Sequence, residues 1–251
     1  SLDKEQGGYF EACTSDWQPI EDMRLSEKDA NEKKTMNTHL HILEPYTNLL
    51  RALRLAGRCC NEVEKSHKAL IEVFLDKILE RSSSHLGLFF DENWVRRDNM
   101  VSYGHDIEAS WLLFEAASVC GDAKLLEKVR KEAIRIAEAA AEGLAPDGSM
   151  YYEIRQDGVL DRDRHWWVQA ETVVGYHYNY LLTGSQESAS RRDRCLEYIC
   201  RYLVDWENGE WWWSIKEDGS VNTADDKAGF WKCPYHNSRM CLELIEHTEE
   251  L

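Results

Sequence analysis

Three glycines, Gly87, Gly148 and Gly209, stand 61 residues apart, and each opens onto aromatic residues. The segments are Gly87-Leu-Phe-Phe90, Gly148-Ser-Met-Tyr-Tyr152 and Gly209-Glu-Trp-Trp-Trp213, with an earlier echo at Gly8-Tyr-Phe10. A glycine or polar turn before alternating aromatics reads as a short strand or hairpin. The returning strand is visible twice. Glu153–Val159 carries the turn pair Asp157-Gly158, and Ile215–Gly219 carries Asp218-Gly219. A pattern recurring at this spacing implies a repeated supersecondary unit that buries its apolar face against its neighbours.

Helical periodicity fills the space between the hairpins. Residues 37–56 put Leu40, Leu43, Thr47 and Leu50 on one stripe, and 62–81 do the same with Leu70, Val73, Phe74 and Ile78. Residues 105–120 align Ile107, Trp111, Phe114 and Val119, and 122–142 align Leu125, Val129, Ile136 and Ala140. Further helices are predicted over 165–183, 186–205 and 234–248. The first helix of each pair mixes Asn, His, Glu and Trp with its apolar residues. The second is plainly amphipathic, as over 122–142 with Lys124, Glu127, Lys128, Lys131 and Glu132 outside. Helix pairs with a polar-lined inner member suit an α/α barrel, with a four-helix bundle as the alternative. Residues 1–251 are read as a single domain.

The formal net charge is −16, which disfavours nucleic acid and anionic membranes, since phosphate binding needs a basic patch. Eight cysteines at 13, 59, 60, 120, 195, 200, 233 and 241 show no C-x-x-C spacing, a reduced, cytoplasmic pattern. Neither a secretory signal nor a bilayer-length apolar run appears. The chain opens Ser1-Leu2-Asp3-Lys4 without Met, which suggests a fragment boundary. Six of the 10 tryptophans cluster at Trp166-Trp167, Trp211-Trp212-Trp213 and Trp231. Indole faces pack cores, and they also stack on the apolar C–H faces of sugars.

Two segments carry the chemistry: Ser102-Tyr-Gly-His-Asp-Ile-Glu-Ala-Ser-Trp111 and Trp231-Lys-Cys-Pro-Tyr-His-Asn237. His105 and Glu108 are three residues apart and share a helix face. His236 follows Pro234-Tyr235, so it sits at a helix start, where the dipole favours a neutral ring and hence a base. Glu108 beside His105 would do the opposite and make His105 the better acid. Environments pushing two histidines apart are those of an acid–base pair. Asn37 and His41 share a face one pair earlier, with Glu44 beyond, while His39 points elsewhere and is read as packed or surface-lying. The H-x-x-E spacing of His41/Glu44 and His105/Glu108 also admits a metal centre, but the surrounding aromatics favour a ligand pocket. No phosphate-cradling G-x-x-x-x-G-K, dinucleotide G-x-G-x-x-G or hydrolase G-x-S-x-G occurs.

Four blocks resemble the N-acylglucosamine 2-epimerase superfamily, most closely its cellobiose branch. They are Asn37-Thr-His-Leu-His-Ile-Leu-Glu44, Gly104-His-Asp-Ile-Glu108, Trp166-Trp-Val-Gln-Ala-Glu171 and Trp231-Lys-Cys-Pro-Tyr-His236. The resemblance implies an all-α toroid of helix pairs with short hairpins, the (α/α)6 barrel type. It implies a reaction without cofactor or metal. The sugar ring opens, a base removes the proton beside the carbonyl, and an enediolate is reprotonated on its other face. Reducing-end glucose units, as in cellobiose-type disaccharides, become mannose. By matched position His105 and His236 carry the protons and Glu108 assists. Asn37, His41, Trp166, Trp167, Trp231 and Asp29 would hold the sugar.

Family members carry further residues at the amino terminus, among them an arginine that stabilises the enediolate. Arg24, Arg51 and Arg54 match no family motif. About seven helices cannot close a ring of twelve, so the barrel is expected to be incomplete and the chain to be its carboxyl-terminal part. Open barrel edges would favour a homo-oligomer. The competing reading is a non-catalytic sugar-binding module, or an inactive fragment of such an enzyme.

Overall fold

A computed structural model describes residues 1–26 and 30–248. Among them lie seven α-helices: α1 (Met36–Leu55), α2 (Asn61–Val73), α3 (Tyr103–Cys120), α4 (Ala123–Ala140), α5 (Trp166–Thr183), α6 (Gln186–Tyr198) and α7 (Tyr235–Thr248). Seven two-residue strands accompany them: β1 (Lys34–Thr35), β2 (Phe89–Phe90), β3 (Val101–Ser102), β4 (Glu153–Ile154), β5 (Leu160–Asp161), β6 (Arg164–His165) and β7 (Ser214–Ile215). The chain packs as two compact units. One comprises Ser1–Val101 with Leu112–Glu132, the other Ser102–Trp111 with Ala133–Leu251. No described helix is long and apolar enough to cross a membrane.

The repeat read from the glycines is real. Each second helix gives way to an antiparallel bridge: Leu79 with Leu86, Leu144 with Met150, and Val204 with Trp211. Helices 62–81 and 186–205 stop earlier than their periodicity predicts. After α2 the amide of Leu79 reaches back to the carbonyl of Phe74, and after α6 that of Val204 reaches Ile199. These wider, five-residue turns end in extended residues, which feed the hairpin instead of another helical turn. Both Asp-Gly pairs form turns, with φ of +79° at Gly158 and +84° at Gly219.

In the first unit, α1 starts on Thr35, whose hydroxyl accepts from the Thr38 amide. The predicted stripe Leu40, Leu43, Thr47 and Leu50 is buried. β1 pairs with β2, setting Lys34 opposite Phe90. Lys34 is fully buried, and its ammonium donates to Asp3 at 2.7 Å and to the carbonyls of Gly7 and Glu92 at 3.0 Å. Of the two alternatives for His39, packed or surface-lying, the structure shows the packed one. Its Nε2 accepts from the Tyr9 amide at 2.8 Å, so Nδ1 carries the proton donated to the Thr35 carbonyl. These bonds tie the first ten residues onto α1.

In the second unit, α5 is buried from Trp166 through Asn179. Several of its polar side chains find partners within the fold. Gln169 bonds both the amide and the carbonyl of Met150 at 2.8 Å, and Asn179 donates to Ser188 and Glu138. Burial all round an inner helix is affordable only when such groups are paired. β6 and β7 pair antiparallel, His165 against Ser214, and so set the entry of the chain into α5.

Candidate active site

The start of α3 lies against α5 because residue 104 is glycine. A Cβ there would stand 2.6 Å from the Trp167 ring and 2.7 Å from Val168. Gly175, further along α5, likewise admits Ile107 of α3. This close approach lays the His105 ring on Trp167, with centroids 4.7 Å apart. The Ser102 hydroxyl meets His105 Nδ1 at 2.7 Å. From α7, the His236 ring approaches the same indole at 5.7 Å. Trp167 therefore has both imidazoles as ring neighbours.

Below the rings lies a charged cluster. Nδ1 of His236 is 2.7 Å from Glu171 Oε1, and Trp111 Nε1 donates to Glu171 Oε2 at 3.0 Å. Arg239, one turn after His236, donates through Nη2 to Glu171 at 2.7 Å and to Glu108 at 2.8 Å. Its guanidinium also faces the Trp111 and Tyr235 rings at 4.9 and 4.3 Å. Both carboxylates are essentially inaccessible to solvent. Burial opposes the charge on Glu171, but Arg239 and the hydrogen bond from His236 outweigh it and hold this carboxyl well below its ordinary value.

An ionised carboxylate can only accept, so the His236 proton sits on Nδ1 and Nε2 is left as the basic nitrogen. That is the logic by which a buried carboxylate orients a histidine that moves protons. Glu108, read from the sequence as the group biasing His105, forms its ion pair with Arg239 and lies 3.9 Å from His236 Nδ1. Oxygen and nitrogen atoms of Glu108, Glu171 and His236 are close enough to hold a metal ion. Arg239 already supplies a cation bonded to both carboxylates, so the donor set is that of an ion-pair network.

The other predicted residues are distributed unevenly. Trp166 is buried beside Trp213 and edge-on to His236 at 6.3 Å; its indole N–H finds no partner among the described residues. Trp231 lies on the loop before α7, about half exposed, with Phe230 as ring neighbour. Asn37 and His41 are half-buried on α1 in the first unit. Asp29 lies outside the described residues. The sequence reading assigned no role to Glu171, Arg239 or Trp111. The available signal was spacing: Glu171 follows Trp167 by four residues and Arg239 follows His236 by three, so each shares a face with a residue already singled out.

Residues 9–239 match the N-acylglucosamine 2-epimerase (GlcNAc 2-epimerase) family. The chain belongs to that family. Among N-acylglucosamine 2-epimerase relatives, a cellobiose 2-epimerase of Bacteroides fragilis is 55% identical over 98% of this chain and 62% of its own length. The solved cellobiose 2-epimerase of Bacillus thermoamylovorans B4167 superimposes with a TM-score of 0.90 at 37% identity, covering 98% of this chain and 62% of that one. That of Spirochaeta thermophila DSM 6192 gives 0.89 at 39%, covering 99% and 61%. The chain thus spans somewhat under two thirds of the length of these relatives. The all-α, α/α-toroid class expected from the sequence is the class it shares with them.

Proposed function

We propose that this family member takes part in sugar 2-epimerisation, interconverting reducing-end glucose and mannose units of cellobiose-type disaccharides. The observation carrying the reading is the shared indole: His105 and His236 both lie against Trp167, and the His236 tautomer is set by Glu171. The names of the relatives support the same chemistry.

In this scheme Trp167 forms a floor for the apolar face of the opened sugar. One imidazole takes the proton from carbon 2. The electron pair left behind forms the C1–C2 double bond, and negative charge moves to the carbonyl oxygen. The other imidazole, protonated, returns a proton to carbon 2 from the opposite side, and the carbonyl re-forms. His236 works through Nε2, since Nδ1 is committed to Glu171. The buried Trp166 N–H is a donor suited to a sugar hydroxyl. Trp231 stacks on the sugar from its loop, and Asn37 and His41 are assigned to sugar binding on the family resemblance. Proton transfer of this kind needs neither cofactor nor metal. Eight free cysteines fit a reducing, cytoplasmic setting.

The test is incubation with cellobiose in deuterated water, followed by NMR at carbon 2 of the reducing unit. Deuterium at that carbon together with a mannose-type anomeric signal is the expected result. His105→Ala and His236→Ala should each slow exchange by about 10²–10⁴-fold. Absence of exchange would overturn the reading; sugar binding without exchange would favour a binding module.

A further inference from the structure

We infer that Lys232 and Glu210 are positioning residues for His236, holding the first turn of α7 where its imidazole meets Glu171. The inference rests on the reading of His236 as a proton carrier. Lys232 precedes His236 by four residues and is 1% exposed. Its ammonium donates to Glu210 Oε1 at 2.9 Å, to the Trp211 carbonyl at 2.9 Å and to the Lys227 carbonyl at 2.6 Å. That accounts for all three of its N–H groups.

The same Glu210 oxygen accepts from Asn237 Nδ2 at 3.0 Å. One carboxylate therefore grips the chain on both sides of His236, at residues 232 and 237. Glu210 is itself held in an unusual state. Its φ is +63°, in the left-handed region that residues other than glycine seldom occupy. The Trp211 amide donates back to its carboxylate at 3.0 Å, and its own carbonyl accepts from Asp205. Such a conformation persists where its surroundings over-determine it. A second clasp lies close by, with Lys227 bonded to Asp205 and to the Gly209 carbonyl.

The grip extends to the aromatic wall. Lys232 Nζ stands 5.6 Å from the Trp166 ring, and that ring stands edge-on to His236. The loop that leads into α7 forms no strand of its own. Arg239 anchors α7 to Glu171 on the carboxyl side of His236, and the clasp fixes the chain at Lys232 on its amino side and at Asn237, so the 2.7 Å contact that sets the tautomer depends on both. Displacement of a reacting group by about 1 Å can cost about 10²-fold in rate.

The experiment compares wild type with Lys232→Met and Glu210→Gln, using histidine-selective ¹⁵N labelling to read the His236 tautomer, with kcat measured beside it. Wild type should show a single Nδ1–H form. Both variants should show mixed tautomers, with kcat at least about tenfold lower per folded molecule. An unchanged His236 spectrum in folded variants would overturn the proposal, even with a lowered Tm, because a purely structural clasp moves stability alone. If Lys232→Met does not fold, Asn237→Ala removes a single bond of the clasp and decides by the same spectrum. Failure of wild type to exchange carbon 2 would sink the epimerase reading, while the imidazole spectrum would still decide the positioning role.

Discussion

Nδ1 of His236 and Oε1 of Glu171 are 2.7 Å apart, although 65 residues separate them in the chain. This contact makes the histidine directional. One nitrogen is committed to a buried carboxylate, and the other is left to take or give a proton. Glu171→Gln removes the charge and lets the amide turn either way. Carbon 2 exchange should fall by about 10²-fold or more. Stability should fall by roughly 1.5–3 kcal/mol, the usual worth of a buried hydrogen bond to a charged group. Exchange rates and urea unfolding of the variant check both.

Arg239 bonds both carboxylates, so its loss strands two buried charges. Arg239→Met should destabilise by about 3–5 kcal/mol. Adding Glu108→Gln removes one stranded charge and should recover part of that loss. A double-mutant cycle read by urea unfolding measures the coupling. Additive effects would show that Glu108 and Arg239 do not act as a pair.

The close approach at Gly104 predicts a sharp size limit. Gly104→Ala pushes a methyl group into Trp167 and Val168, and overpacking of this kind costs about 1–3 kcal/mol. Because Trp167 lies under both imidazoles, exchange should fall more steeply than stability. A shift in tryptophan fluorescence should accompany the change, and Tm should drop by several degrees.

Acid should destabilise the protein in two stages. His39, His67 and His177 are buried, and burial pushes each ring down to about 4. The unfolded rings take up protons near pH 6.5 while the folded ones stay neutral. Stability is therefore full above about pH 6.5 and falls toward pH 4, by about 1.4 kcal/mol per pH unit for each fully titrating ring. Glu171 acts lower. Arg239 and His236 depress its folded pKa, so its contribution is complete above its ordinary value near 4.5 and is lost progressively as pH falls below that. Urea unfolding from pH 7.5 to 3 should show the first stage flatten in His39→Gln. The second stage should vanish in Glu171→Gln.

Much of this architecture is legible locally. The stripe Leu40, Leu43, Thr47 and Leu50 became the buried face of α1, and both Asp-Gly pairs became left-handed turns. The offset of His39 from His41 left it packed or surface-lying, and tertiary contacts made it packed. Helix ends after α2 and α6 were misjudged because Leu75 and Ile78, like Ile199 and Leu203, continue an apolar pattern through the wider turn. Periodicity registers burial, and both backbone forms bury those residues.

Residue order alone determined the helix pairs, the hairpins and the two histidine segments, since turn chemistry and apolar spacing act over a few residues. Folding in three dimensions decided which charge faces which ring. Arg239 reaches Glu108 across 131 residues of chain, and Glu171 reaches His236 across 65. A carboxylate is equally able to pair with any nearby cation or imidazole, so its partner is chosen by packing: Gly104 and Gly175 let α3 and α5 approach closely, and α7 brings His236 and Arg239 to their carboxylates.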